Sequence, residues 1–316
     1  TFLPVSYGFR AGRNAHECLK ELNHKIMGKK VNWVIEADIR GFFDHVDHGW
    51  VMRCLEEKIG DTPFKKLIER MLKSGVMEGG QYIASDEGTP QGGVISPILA
   101  NIYLYYVLDL WFEKAERKVL KGESHLIRYA DDFVICMQYG NEAQKVLEDL
   151  RKRLQKFGLE LAEDKTRIAE FGRFAVENHK RRGEGKPETI EFLGFTHYCT
   201  QTRDGRFMVR VKTSRKKMNK AVKEMNAWIK SIRNLMKLKD IWKLLKLKLQ
   251  GHYNYYGLSG NFESIRRYYR KVLGLVFKWM NRRSQKRTWN WNTFSDYIRQ
   301  HPLPEPRLTY AIYNTW

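Results

Sequence analysis

The sequence predicts an α+β domain of the split βαβ type followed by an all-α basic extension, and three observations carry that prediction. Over the first two hundred residues, short β-branched runs alternate with amphipathic stretches in the order strand, helix, strand, strand. Beyond Thr213 the pattern is helical to about residue 287. The charge divides near the same place: residues 203–290 hold 25 Lys or Arg against 4 Asp or Glu, while the rest of the 316-residue chain balances 32 basic with 32 acidic residues. The whole net charge of +21 therefore sits in one arm, beside a neutral body. That asymmetry suits a polyanionic partner.

Each element has its own signal. Residues 13–30 read as a helix because Ala15, Leu19, Leu22 and Ile26 recur at helical spacing. Residues 31–39 (VNWVIEADI) are β-branched, of strand length, and end beside an acid. Residues 51–74 are helical in pattern, broken at Gly60 and Pro63. The Gly-rich segment MEGGQYIASDEGTPQGG reads as a hairpin or loop. Ser96 then offers an N-cap and Pro97 a favoured first helical residue before the apolar run ILANIYLYYVLDLWF. HLIRYADDFVICM reads as two strands about a turn at residues 130–132. Residues 141–158 form a second amphipathic helix, residues 178–188 a polar loop, and TIEFLGFTHYCT one further strand. In the basic arm, Trp228, Ile232, Leu235, Trp242, Leu245 and Leu249 mark apolar helix faces, so its tryptophans are expected in a core.

Composition excludes several classes. Hydrophobic residues make up 42% of the chain, enough for a sizeable core, yet no apolar run has membrane-spanning length. The four cysteines, Cys18, Cys54, Cys136 and Cys199, form no CxxC pair. That argues against a disulfide framework or zinc finger and suits a reducing, cytoplasmic setting.

The chemistry is expected at three acids. Asp38 ends an apolar strand, and Asp131 and Asp132 sit at a hairpin tip. Three carboxylates meeting at one point repel strongly unless cations neutralise them. One or two carboxylates per ion suit Mg²⁺, and two such ions clamp the attacking and leaving oxygens of a phosphoryl transfer. The plainer alternative is a solvated Asp-Asp turn and an unrelated strand-end acid. His45, Asp47 and His48 have the look of metal ligands, but they read as the start of a helix with Asp47 as its N-cap.

The wider motifs decide between these readings. Tyr129-Ala130-Asp131-Asp132, with hydrophobic residues on both sides, resembles the active-site hairpin of reverse transcriptases. Asp38-Ile39-Arg40-Gly41-Phe42-Phe43-Asp44 resembles their first aspartate motif. The segment TPQGGVISPILAN, from Thr89 to Asn101, is close to the consensus of reverse transcriptases encoded by group II introns. Ser6-Tyr7-Gly8-Phe9-Arg10, Lys165-Thr166, Phe192-Leu193-Gly194-Phe195 and Gly251-His252-Tyr253-Asn254-Tyr255-Tyr256-Gly257 follow the same family in order. The chain thus resembles bacterial group II intron reverse transcriptase/maturases over almost its whole length.

That resemblance implies a right-hand polymerase palm with partial fingers over residues 1–202 and a helical basic thumb or maturase domain over residues 203–316. It implies an RNA-directed DNA polymerase that uses two Mg²⁺ ions, with Mn²⁺ as a substitute, an RNA template, a DNA primer or target and dNTP. It also implies binding of intron RNA as a splicing maturase. By carry-over, Asp38 and Asp131 ligate both metals with help from the Ile39 carbonyl, and Asp132 supports the hairpin geometry or the metal site. Phe43 lies beneath the sugar, or is simply core, and Gln91 with Gly92 contacts the nucleotide. Arg10 positions template or nucleotide, or pairs with an acid. Lys165 assists pyrophosphate departure, or is a solvated lysine. Phe192, Leu193, Gly194 and Phe195 grip the primer, and Lys212, Arg215, Lys216, Lys217 and Lys220 meet nucleic acid. The family carries a fingers segment ahead of Ser6; the resemblance implies that a separate chain supplies it or that the given sequence is a piece of a longer one, and no target-DNA endonuclease module is expected. The competing class is an RNA-binding splicing cofactor, or a domesticated host or phage-defence relative, without polymerase activity of its own.

Overall fold

Side-chain caps set the helix starts nearest the amino terminus. In the computed structural model, which describes residues 2–74, 76–78, 81–83, 88, 93, 95–283 and 289–313, Asn14 accepts from Glu17 N and opens helix α1, Ala15–Gly28. This helix buries Cys18, Leu19, Leu22 and Ile26. Strand β1, Trp33–Ala37, follows. Asp47 accepts from Trp50 N to open α2, His48–Glu56, and Asp61 accepts from Phe64 N to open α3, Thr62–Lys73. Pro63 therefore lies in the first turn of a helix, where its missing N–H costs nothing. Short strands β2, Val76–Glu78, and β3, Gln81–Ile83, pair antiparallel.

The long apolar run is one helical rod with two loosened turns. It begins as α4, Ser96–Leu104, widens into π-type turns at Tyr105–Asp109 and Phe112–Glu116, and ends as α5, Arg117–Val119. Ser96 is its first helical residue rather than its cap. Ser96 N already donates to Gly93 O at 3.2 Å, which leaves Ile95 at the cap position with no side-chain oxygen to offer.

Strands β4, Ser124–Tyr129, and β5, Asp132–Met137, form a hairpin; α6, Gly140–Gln155, and β6, Arg167–Glu170, complete the motif. The sheet order is β4-β5-β1-β6 with antiparallel neighbours, the arrangement of a split βαβ fold. Ile35, Ala37, Phe133 and Ile135 alternate onto the core face, with Leu99, Tyr103, Val107, Leu147 and Leu150 in the same cluster. The opposite parity belongs to Glu36 and Asp38.

Helix α7, Ala175–Arg181, occupies the start of the expected polar loop, and the stretch expected as one strand is two. Strands β7, Thr189–Phe192, and β8, Phe195–Gln201, are separated by a turn in which Leu193 and Gly194 both have positive φ, 48° and 81°. With β9, Phe207–Thr213, they form a second sheet in the order β7-β8-β9. Contacts divide the chain into one unit of residues 1–193 and 198–209 and another of residues 194–197 and 210–316, so the division falls within β8 and β9.

The second unit is helical: α8, Arg215–Ile232; α9, Leu238–Tyr256; α10, Phe262–Met280; and α11, Trp291–Gln300. Its core gathers Met218, Ile229, Trp242, Leu245, Leu249, Tyr253, Val272 and Trp279. Trp228 packs partly buried against the same core, whereas Leu235 is 82% exposed and belongs to no apolar face. Among the described residues no helix is long and apolar enough to cross a membrane.

Candidate active site

Strand register brings the acids together. Ala37 pairs with Phe133, the last registered pair of β1 and β5, so Asp38 continues opposite Asp132 on a strand about 4.8 Å away. Asp38 is itself pinned from the other side: its carbonyl accepts from Ala162 N at 2.8 Å, and Arg40 N donates to Glu160 O at 2.9 Å. Asp131 stands in the two-residue turn between Tyr129 and Asp132, after Ala130 at φ 56°. Burial holds the Asp131 carboxyl above the usual carboxylate range, and the charge of Asp38 raises it further. The Asp38 and Asp131 carboxylates thus sense one another, although they lie far apart in the chain.

A cation already answers that charge. Lys165 Nζ donates to Asp38 Oδ2 at 2.5 Å, and the hydrogen bond and the carboxylate's charge raise the lysine above its ordinary value. Lys165 is 57% exposed while Asp38 is 23% exposed, so a flexible ammonium reaches in to a half-buried acid. Among the described residues, no three His, Cys, Asp or Glu side chains lie close enough to hold a metal ion. The donor chemistry nevertheless fits a hard divalent cation: all-oxygen ligands, mutual charge repulsion, and an ammonium standing where positive charge is needed. The Ile39 carbonyl follows Asp38 directly; Ile39 itself is buried and bridges Leu161.

Phe43 follows a left-handed Gly41 in a short 3₁₀ turn, Phe42–Asp44. It is half-buried, edge-on to Phe42 with ring centroids 5.3 Å apart, and packs against the core. Gly88 rests on this turn: a Cβ there would meet Asp44 O at 2.8 Å and Phe43 O at 2.9 Å. His48 holds Gly88 in place, its Nε2 hydrogen-bonded to Gly88 O at 2.5 Å, which gives this histidine a structural task. Gln91 and Gly92, expected to contact nucleotide, lie outside the described residues. Arg10 directs Nη1 to the carbonyls of Leu3 and Ser6, at 2.8 and 2.7 Å, and so braces its own segment.

The turn bearing Asp131 rests on a buried network that the motifs did not announce. Arg128 and Asp109 are both 0% exposed and form a two-point ion pair at 2.7 and 2.6 Å. Arg128 Nη1 also donates to Ala130 O at 2.8 Å and to Asn101 Oδ1 at 2.9 Å. Asn101 Nδ2 in turn donates to Gly8 O at 2.7 Å. Gly8 lies so close to the turn that a Cβ would sit 2.4 Å from Ala130 N, so only glycine fits there. Asp109 ends the π-type turn of the long helix, a distortion often found at functional positions. A lone acid in an apolar helix and a lone Arg in an apolar strand were the readable signal, since neither is stable buried alone.

The expected primer grip divides by burial. Phe192 and Phe195 are core residues, 4% and 0% exposed, while Leu193 and Gly194 form the partly exposed turn. In the second unit, Lys212, Arg215, Lys216, Lys217 and Lys220 are all exposed at the end of β9 and the start of α8. Ser214 caps α8, accepting from Lys217 N, and the first turn holds no acid. Basic residues are disfavoured at a helix N-terminus, where the macrodipole is already positive. Such a cluster gains its advantage when an anion is present. Lys217, Lys220 and Lys248 line a cavity of about 410 Å³ with Tyr256 and Tyr268.

The family model for reverse transcriptase (RNA-dependent DNA polymerase) matches residues 1–197, and the chain belongs to this family. It is similar to the group II intron-encoded protein LtrA of Lactococcus lactis subsp. cremoris, 29% identical over 335 residues, covering 84% of this chain and 55% of that protein. Protein YkfC of Escherichia coli strain K12 is 32% identical over 198 residues, covering 53% of this chain and 52% of its own length. The chain thus spans about half the length of these relatives. Among solved structures, apo telomerase from Candida tropicalis is similar with a TM-score of 0.48 at 14% identity, over 94% of this chain and 50% of that one.

Proposed function

We propose that the chain is the polymerase body of a group II intron reverse transcriptase that copies RNA into DNA and binds intron RNA as a maturase. The observation that supports this most is the meeting of Asp38 with the Asp131–Asp132 turn through strand register and shared charge. Asp38, Asp131 and Asp132, with the Ile39 carbonyl, would hold two Mg²⁺ ions, and Mn²⁺ would substitute. When bound, those ions supply charge neutralisation and polarisation of the phosphoryl oxygens.

The chain's own residues perform the rest. Lys165 neutralises Asp38 in the resting site and, on its exposed stem, donates to the departing pyrophosphate. Phe43 lies beneath the sugar and disfavours a 2′-hydroxyl. Arg10 keeps the segment of Ser6–Arg10 in place for the template, Gln91 and Gly92 contact the dNTP, and the Leu193–Gly194 turn supports the primer. The basic start of α8 neutralises phosphates of RNA or of the template–primer duplex.

Primer extension tests the assignment. An RNA template, a DNA primer, dNTP and Mg²⁺ should yield extension with the complete protein and none with its Asp131→Ala variant. If both bind RNA and neither extends, the chain is an RNA-binding splicing cofactor instead.

A further inference from the structure

Phe9 combines two properties that rarely occur together. Its backbone is left-handed, with φ 51°, and its surface is 56% exposed. A bulky side chain at positive φ is a conformational outlier. Here the strain is present and more than half of the residue's surface stays open.

The neighbouring backbone fixes this conformation. Before Phe9, Tyr7 N donates to Arg128 O at 2.9 Å, and Gly8 O accepts from Asn101 Nδ2 at 2.7 Å. A Cβ on Gly8 would lie 2.4 Å from Ala130 N, so Gly8 abuts the turn that carries Asp131. After Phe9, Arg10 Nη1 folds back onto the Leu3 and Ser6 carbonyls. One Cα–Cα step from Gly8 puts the Phe9 Cα at most about 8 Å from Ala130 N. Strain that persists because its surroundings over-determine it, beside a reactive turn, is a mark of function.

We propose that Phe9 is a nucleobase-stacking residue of the polymerase site, an aromatic face set beside the Asp131 turn to receive a base of the template strand or of the primer end. This rests on the polymerase reading above. A flat apolar face suits any base, because stacking needs no sequence-specific hydrogen bonds.

The test uses the full chain and an RNA-template, DNA-primer duplex carrying 2-aminopurine either at the templating position or at the primer 3′ end. Four proteins are compared: wild type, Phe9→Gly, Phe9→Leu and Phe9→Trp. Glycine adopts φ 51° without strain, so Phe9→Gly should match or exceed the wild-type thermal midpoint. It should nevertheless lose about ten- to hundredfold in duplex affinity. Phe9→Leu, apolar without a π face, should lose affinity similarly, and Phe9→Trp should restore it. Quenching of the template probe that vanishes in Phe9→Gly assigns the stacked base to the template; quenching of the primer probe assigns it to the primer. Either result supports the proposal. Quenching at neither position, wild-type affinity in Phe9→Gly and Phe9→Leu, or affinity lost only in step with the thermal midpoint overturns it. Wild-type extension is the control: its absence overturns the polymerase reading and this proposal with it, whereas its presence with an indifferent Phe9 overturns this proposal alone.

Discussion

Replacing Asp109 by Asn should destabilise the first unit severely, because it strands a buried charge. Arg128 and Asp109 have no solvent exposure, and the aspartate supplies two of the four hydrogen bonds made by the guanidinium. Breaking a buried pair by removing one partner costs about 3–5 kcal/mol, most of it from the uncompensated charge that remains. Urea unfolding monitored in the first unit measures this directly through the linear dependence of stability on denaturant. The pair can also be removed together. Asp109→Leu with Arg128→Met fills the space with apolar atoms and should recover most of the lost stability. It should not recover extension, because the donor to Ala130 O and Asn101 Oδ1 is gone and the Asp131 turn loses its support. A cost below about 1 kcal/mol for Asp109→Asn, or wild-type extension by the double variant, would refute the reasoning.

Three further outcomes follow from the same geometry. Asp131 binds its proton more tightly when folded than when unfolded, since burial raises its pKa above 3.8, so ionising it opposes folding at neutral pH. Asp131→Asn should therefore raise the unfolding midpoint at pH 7 while abolishing extension, and the gain should fade as pH falls to the unfolded value of 3.8. Gly8→Ala drives a Cβ to 2.4 Å from a backbone nitrogen that cannot rotate aside; a loss of about 1–3 kcal/mol in urea unfolding, with slowed extension, is expected. Charge reversal at Lys216 and Lys217 should weaken RNA binding at every sequence, and the slope of log affinity against log salt should fall by about 2 in magnitude.

Sequence and structure agree where pattern and chemistry point the same way. The strand before Asp38, the hairpin at residues 129–132 and the Asp47 cap were readable because each joins a periodic run to a residue that ends it. The single strand expected across residues 189–200 is two, because Leu193 adopts a positive φ that a leucine does not advertise. Strand β6 carries little strand signal because Arg167 and Glu170 bracket only two apolar residues, and α7 little helix signal because a charged heptapeptide reads as loop. The Arg128 network is harder to read for another reason: its members come from three separate segments, and only the lone acid in an apolar helix and the lone arginine in an apolar strand hint at it. The separation of core phenylalanines from the Leu193–Gly194 turn likewise needed burial, which motif matching does not supply.

Mn²⁺ binding followed by electron paramagnetic resonance tests the central claim most directly, in the presence of template–primer duplex and a non-hydrolysable dNTP analogue. Wild-type chain should hold two Mn²⁺ ions that Asp38→Asn and Asp131→Asn each release, while both variants keep their affinity for RNA. Mn²⁺ binding that survives both substitutions unchanged would contradict the account.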